Sequence, residues 1–216
     1  MEHHKGVAAG RIIILNGVPR SGKSSIVEAI QAGFDDVWVN LGVDAYVRHI
    51  TPARYRPGIG LRPGGERPDL EPLVPRFYAA LYASIAAHSR CGLNVVAEFG
   101  HHDAHSRPLG ILADCARELA GLPALFVGVR CSLDIVMQRR LAEGPERQGN
   151  YVPISADMAV PAPVLAWQEH VHRPGIYDLD VDTSAKSPQA CAEEIRRVLD
   201  RGIPRPSAFE RLAGTG

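Results

Sequence analysis

Three groups of residues in this chain have the types and spacing to do chemistry on phosphate. The first is Gly17-Val18-Pro19-Arg20-Ser21-Gly22-Lys23-Ser24, which fits GxxxxGK[ST] and runs on into Ser25. Its glycines let backbone amides turn inward around phosphate oxygens, and a helix opening at its end adds the positive pole of its dipole. In such a loop Lys23 reaches the β- and γ-phosphates and the Ser24 hydroxyl ligates Mg²⁺. Gly17 to Ser25 are therefore the expected nucleotide-binding residues, with ATP and Mg²⁺ as cofactors. Only three of the 24 basic residues are lysines (Lys5, Lys23 and Lys186), so composition alone does not put a lysine here.

The second group is acidic. Asp44 closes Leu41-Gly42-Val43-Asp44, just past a short apolar run, and Glu98 ends another. Ligands of open α/β sheets bind at the carboxyl ends of the strands. A carboxylate at that edge can accept a hydrogen bond from an alcohol and take its proton as phosphoryl transfer proceeds. Asp44 is the candidate base; its alternative, which does not exclude the first, is to cap a helix starting at Ala45. Glu98 either organises Mg²⁺ through water or binds substrate, or else makes a plain salt bridge.

The third group is Arg139, Arg140 and Arg147, at the start of a polar stretch. A loose phosphoryl transition state needs positive charge on its oxygens, and the planar arginine fork on a closing lid supplies it.

Weaker signals surround these. Phe99-Gly100-His101-His102-Asp103-Ala104-His105 lacks a helix-supported HxxxH frame with a third ligand, and is expected to line a pocket rather than hold a metal. Arg48, Arg54, Arg56, Arg62 and Arg67 have only Glu66 as local counter-charge. They suit a solvated loop, with attraction of an anionic substrate as the alternative.

The elements that must position these residues are legible as apolar runs. Arg11 to Asn16 is a β-branched strand of the kind buried on both faces in a parallel sheet. Further strands are expected at Val37–Leu41, Leu93–Ala97, Ala124–Val129 and Tyr177–Val181. Helical spacing is present in Ser24–Ala32, Leu70–Ser89 and Leu109–Ala120, and in the stretch from a Ser132 cap to Arg140. A last helix opens at Ser187-Pro188 and stops at Gly202. Alternating strands and helices give right-handed crossovers and a parallel sheet covered on both faces. Two stretches break the pattern. Thr51–Pro72 is rich in proline and glycine, with Ile59-Gly60-Leu61 a candidate hairpin arm. Gly144–Pro163 is a loop or flap.

The expectation is one α/β domain over residues 1–216: a P-loop nucleoside triphosphate hydrolase fold with a flexible start (1–10), a lid (139–163) and a frayed tail after 202. Zero formal net charge gives no field for nucleic acid or anionic lipid. No apolar run approaches the roughly 18 residues of a membrane helix, and the N-terminus lacks an apolar signal core, so the expected location is cytoplasmic. Cys91, Cys115, Cys131 and Cys191 form no CxxC pair and are expected to be reduced core residues. No DxxG or NKxD string marks a GTPase. What remains is a small kinase acting on a hydroxyl of a small molecule, of unspecified oligomeric state. The alternatives are a kinase of another metabolite, such as a nucleoside or sugar nucleotide, and a nucleotide-binding regulator without transfer.

With these residues assembled, the sequence resembles the chloramphenicol phosphotransferase family. The likeness runs from Arg11–Gly17 through Gly42-Val43-Asp44 and Val127–Cys131 to Val171-His172 and Tyr177–Thr183. It implies a five-stranded parallel sheet and ATP-dependent 3-O-phosphorylation of chloramphenicol, which inactivates the drug. It also implies Asp44 as general base, Arg140 and Arg147 as lid arginines, and a loop beside the adenine after Asp182-Thr183. Two departures bear on the acceptor. Glu98-Phe99 stands where the drug-modifying enzyme has paired aspartates, and Thr51–Leu70 diverges into a Pro/Arg-rich stretch.

Overall fold

The computed structural model describes residues 7–64, 67–142 and 159–214. Five strands form one sheet in the order β2-β3-β1-β4-β5: β1 (Ile12–Asn16), β2 (Trp38–Asn40), β3 (Asn94–Phe99), β4 (Ala124–Arg130) and β5 (Leu179–Asp182). Every neighbouring pair is parallel. The strand order reverses between β1 and β3, which is where ligands of such sheets bind.

The central strand explains why the sheet is buried on both faces. Ile12, Ile13, Ile14 and Leu15 have no solvent exposure, and each such side chain contributes about 1.5–3 kcal/mol of transfer free energy. Ile12 and Ile14 point into one apolar layer, under α3 (Val74–Arg90) and α4 (Ile111–Glu118). Ile13 and Leu15 point into the other, where α1 (Lys23–Gly33) lies beside α7 (Pro188–Arg201). Above the carboxyl edge a third cluster joins Val18 of the P-loop to Val136 of α5 (Leu133–Leu141) and to Val164 and Trp167 of α6 (Ala162–His170). α5 starts at a Ser132 cap and α7 at a Ser187 cap, with Pro188 in its first turn and Gly202 beyond its end, as their sequences specify.

The structure departs from the sequence expectations at several points, each with a local cause. The helix expected from Leu70 begins at Val74, after a 3₁₀ turn over Glu71–Leu73. Pro75 cannot follow a regular helix without striking the carbonyl four residues back, so the helix restarts there. Ile59-Gly60-Leu61 is no hairpin arm: Gly58–Gly60 is a 3₁₀ turn, and the buried Tyr78 hydroxyl donates to the Ile59 carbonyl at 3.0 Å. At the edge of the expected loose start, the Ser89 hydroxyl donates to the Gly10 carbonyl at 2.6 Å. Cys91 is exposed rather than in the core.

Two helices were not foreseen. α6 follows Pro161 and buries Val164 and Trp167 three residues apart. α8 (Ala208–Ala213) stands in place of the frayed tail. Ser207 and Glu210 form a reciprocal capping box at its start, and Ala208, Phe209 and Leu212 join the core. Most of the expected lid, including Arg147, lies outside the described residues. Among the described residues no helix is long and apolar enough to cross a membrane.

Candidate active site

The P-loop begins where β1 ends. Gly17 has no room for a side chain, since a Cβ there would lie 2.5 Å from the Val129 carbonyl and 2.8 Å from Ser21 Oγ. Its amide donates to the Phe99 carbonyl at 3.2 Å, which ties the loop to the end of β3. Arg20 and Gly22 both take positive φ, turning the chain into α1. No side chain caps that helix at Gly22, so its first amides keep their donors for a ligand. The Ser21 side chain is fully buried and its hydroxyl has no partner among the described residues.

Four sequence-named side chains converge above β1 and β3. Lys23 Nζ donates to the Gly17 carbonyl at 2.9 Å and the Val18 carbonyl at 2.8 Å. The Ser24 hydroxyl donates to Glu98 Oε2 at 2.8 Å. Glu98 is opposite Leu15 in the β1–β3 register and only 7% exposed. Gly42 packs against it so closely that a Cβ would meet Glu98 Cγ at 2.6 Å, which brings the start of α2 (Val43–Ala45) over the strand end. Asp44 lies in that first turn and is solvent-exposed, and the residue at the N-cap is Gly42, so Asp44 is not the cap.

The electrostatics bind the four together. Burial lowers the Lys23 pKa, while the negative charges of Glu98 and Asp44 push it back up. Burial raises the Glu98 pKa, and Lys23 and the Ser24 hydroxyl oppose that rise. A lysine faces two carboxylates beside an uncapped helix start, a charge arrangement that can accommodate an anion and a hard cation together.

The arginines separate. Arg140 is buried at 7% exposure in the last turn of α5. Arg139, grouped with it by sequence, is committed to backbone. Its guanidinium donates to the Arg20 carbonyl at 3.1 Å, the Thr183 carbonyl at 2.7 Å and Thr183 Oγ1 at 3.1 Å. Thr183 Oγ1 in turn donates to the Ser21 carbonyl at 2.6 Å. The end of β5 is thereby clamped onto the outer turn of the P-loop. Thr183→Val keeps the shape and strands these partners, which costs about 1–3 kcal/mol when a buried carbonyl loses its donor. The expected result is a raised KM for ATP with a smaller change in kcat, read from steady-state kinetics. An unchanged KM would mean that the clamp does not set the loop.

In the Pro/Arg segment, Arg56 donates to the carbonyls of Thr51 and Arg48, and Arg67 to those of Arg56 and Arg54. Arg67 also pairs with Asp69 at 2.7 Å, a counter-charge that the sequence reading overlooked. These two arginines brace the loop from within.

Sequence reasoning missed the network beneath the P-loop. Asn16 is fully buried; its Nδ2 donates to the Val171 carbonyl at 2.8 Å and to Tyr177 Oη at 2.9 Å. Its Oδ1 accepts from the His101 amide at 2.8 Å, so backbone groups on both sides fix the amide's orientation. Tyr177 Oη lies 2.9 Å from His172 Nδ1. A polar residue ending an apolar strand directly before Gly17 was the available clue.

Three histidines here are held neutral by burial: His101 at about 3, His102 at about 4 and His172 at about 4. His101 Nε2 is 2.7 Å from the buried Tyr82 hydroxyl, and His102 Nε2 is 2.9 Å from the Leu61 carbonyl. Folded-state pKa values below the unfolded 6.5 mean that the native state binds fewer protons. Their contribution to stability is present above pH 6.5 and is lost as pH falls towards 3–4. Urea midpoints are expected to hold steady near pH 7 and to fall steeply near pH 5, with uptake of roughly two to three protons on unfolding. A flat midpoint from pH 7 to 5 would contradict the burial.

The model of the chloramphenicol phosphotransferase-like protein family matches residues 10–200. The chain belongs to that family. The match spans the P-loop, Asp44, Glu98, both arginines of α5 and nearly all of α7, and stops short of α8. A Mycobacterium tuberculosis protein of strain H37Rv with the name "Putative O-phosphotransferase Rv2636" is 27% identical over 220 residues, covering 96% of this chain and 89% of that one. Among solved structures, M. tuberculosis APS kinase CysC in complex with AMPPNP and APS superposes with a TM-score of 0.58. It is 17% identical over 89% of this chain and 99% of that one. Shikimate kinase from Acinetobacter baumannii, in complex with shikimate, gives 0.53 at 9% identity over 89% of this chain and 94% of that one. At these identities the likeness is one of fold. The chloramphenicol phosphotransferase-like chain has the architecture of the P-loop kinases, and it is a phosphotransferase by family.

Proposed function

We propose that this protein transfers the γ-phosphate of ATP to a hydroxyl group of a small molecule, with Asp44 as general base. The observation that carries the proposal is the convergence of Lys23, the Ser24–Glu98 pair and Asp44 on an uncapped helix start at the sheet's carboxyl edge. The residues fit the nucleotide and its metal: the orphaned Ser21 hydroxyl and the side-chain-free place at Gly17 suit a phosphate cradle. Ser24 and Glu98 form an oxygen donor pair suited to Mg²⁺. When bound there, the ion neutralises phosphate charge.

In the reaction Lys23 leaves the Gly17 and Val18 carbonyls for the phosphate oxygens. Asp44, exposed where an acceptor arrives, takes the hydroxyl proton as the new O–P bond forms and the bond to the β-phosphate breaks, releasing ADP. Arg140 and Arg147 are proposed to supply further positive charge to the transferring group. Chloramphenicol is the first acceptor to offer on family grounds, and its phosphorylation would make the protein an antibiotic-resistance enzyme.

The test is ADP release from Mg·ATP with chloramphenicol and a panel of hydroxylated metabolites. Acceptor-dependent release supports the proposal and names the acceptor class; ATP binding with no stimulation by any acceptor argues for a nucleotide-dependent regulator. Glu98→Gln removes a charge whose burial is unfavourable, so the nucleotide-free protein is expected to keep or gain thermal stability. The same change is expected to raise the Mg²⁺ concentration needed for half-maximal turnover. An unchanged Mg²⁺ requirement would remove Glu98 from the metal site.

A further inference from the structure

The strand that feeds the P-loop ends on an amide. Ile12 to Leu15 are apolar and buried, and Asn16 after them is equally without solvent exposure. Burying an amide is unfavourable unless hydrogen bonds compensate it, so a polar side chain at this place depends on its partners. Those partners come from three separate segments. The His101 amide, in the loop after β3, donates to Asn16 Oδ1 at 2.8 Å. Asn16 Nδ2 donates to the carbonyl of Val171, the C-cap of α6, at 2.8 Å and to Tyr177 Oη at 2.9 Å.

The loop after β3 and the end of α6 meet around the first turn of the P-loop. Val18 shares an apolar cluster with Trp167 and Val171. Gly100 lies between them: a Cβ on it would fall 2.7 Å from the Trp167 ring and 3.4 Å from the Gly17 carbonyl. Lys23 also holds this turn, through its bonds to the Gly17 and Val18 carbonyls. Those two bonds are lost when Lys23 moves to phosphate. The turn then keeps the Gly17 amide on the Phe99 carbonyl at 3.2 Å and the Ser21 amide on the Val18 carbonyl at 3.1 Å, with Asn16 beneath it. The clamp of Arg139 and Thr183 grips the outer turn instead, at Arg20 and Ser21.

We infer that Asn16 is a positioning residue: it fixes the Gly17-Val18 turn to the loop after β3 and the end of α6 once Lys23 has left, and so aligns the γ-phosphate for transfer. The inference rests on the phosphotransfer reading above and gives Asn16 no contact with the reacting atoms. A displacement of about 1 Å between phosphate and acceptor can cost about 10²-fold in rate. Binding depends less on Asn16, because the amides at the start of α1 hold phosphate independently of it.

The test compares the full-length parent with Asn16→Ala, using Mg²⁺ and the non-hydrolysable ATP analogue AMPPNP. Bound nucleotide is followed by ³¹P NMR and its affinity by isothermal titration, neither of which needs an acceptor. Asn16→Ala is expected to bind AMPPNP within about threefold of the parent, while the bound γ-phosphorus resonance moves and the α-phosphorus stays. With an acceptor that the parent phosphorylates, kcat is expected to fall about 10²-fold at a KM for ATP within about threefold. Ser89→Ala is the control for lost stability, since it removes a buried hydroxyl bonded to the Gly10 carbonyl at 2.6 Å. It is expected to lower the melting temperature and to leave the γ resonance and kcat where they are. If Asn16→Ala does not fold, Tyr177→Phe removes one of the Asn16 bonds and is expected to move the γ resonance in its place. A γ resonance that stays put in whichever variant folds overturns the inference, and so does the same movement in Ser89→Ala. A parent that binds no AMPPNP overturns the nucleotide reading along with it. A parent that binds and transfers, beside a folded variant with an unmoved γ resonance, overturns this inference alone.

Discussion

Asp44→Asn is expected to leave ATP binding intact and to cut acceptor-dependent turnover by about 10²–10⁴-fold, the usual worth of a positioned general base. The amide has the same shape and cannot take the proton. Asp44 is exposed in the first turn of α2 and is not its N-cap, so folding stability should stay within about 0.5 kcal/mol of the parent. That separation makes the variant informative: isothermal titration with ATP and a thermal melt report an unaltered protein while turnover collapses. Turnover within a few-fold of the parent would remove Asp44 from the chemistry and leave proton transfer to solvent or to the nucleotide.

Lys23→Ala has the second large effect and a different signature. Lys23 now spans the Gly17 and Val18 carbonyls and faces Glu98 and Asp44. Without it, kcat is expected to fall by about 10²–10³-fold through lost stabilisation of transferring charge, and ATP affinity should weaken as well. A further consequence follows from the coupling. Lys23 is the group that most opposes the burial-driven rise of the Glu98 pKa. Its loss should move the Glu98 titration upward, visible as a shifted midpoint for the Glu98 carboxyl carbon in ¹³C NMR. An unmoved Glu98 would mean that the two side chains do not share a field, and the site as described would be wrong.

Much of this site was legible because its grammar is local. GxxxxGK[ST] places its glycines, lysine and serine within eight residues, and the β-branched run before it could only be a central strand. Asp44 and Glu98 were legible from their positions at strand ends, since a parallel sheet sends its carboxyl ends to one edge. The network under the loop was not legible, because its partners are far apart in sequence: Asn16 meets Val171 and Tyr177 across 155 and 161 residues. Arg139 and Arg140 look alike in sequence. Only the packing of β5 against the P-loop shows that the first is a backbone clamp. Prolines at 161 and 163 hid the start of α6, whose Val164, Trp167 and Val171 have helical spacing once the fold is known. α8 was overlooked for its brevity, although Ser207 and Glu210 stand at capping-box spacing.

The most direct test of the account is to follow the γ-phosphate of ATP by ³¹P NMR in the presence of Mg²⁺, chloramphenicol and the acceptor panel, with the parent protein and Asp44→Asn side by side. The account predicts a phosphomonoester resonance growing in step with ADP in the parent and absent from the variant. ATP bound but returned only as inorganic phosphate, or not consumed with any acceptor, would contradict the claim that this site transfers phosphate to a hydroxyl.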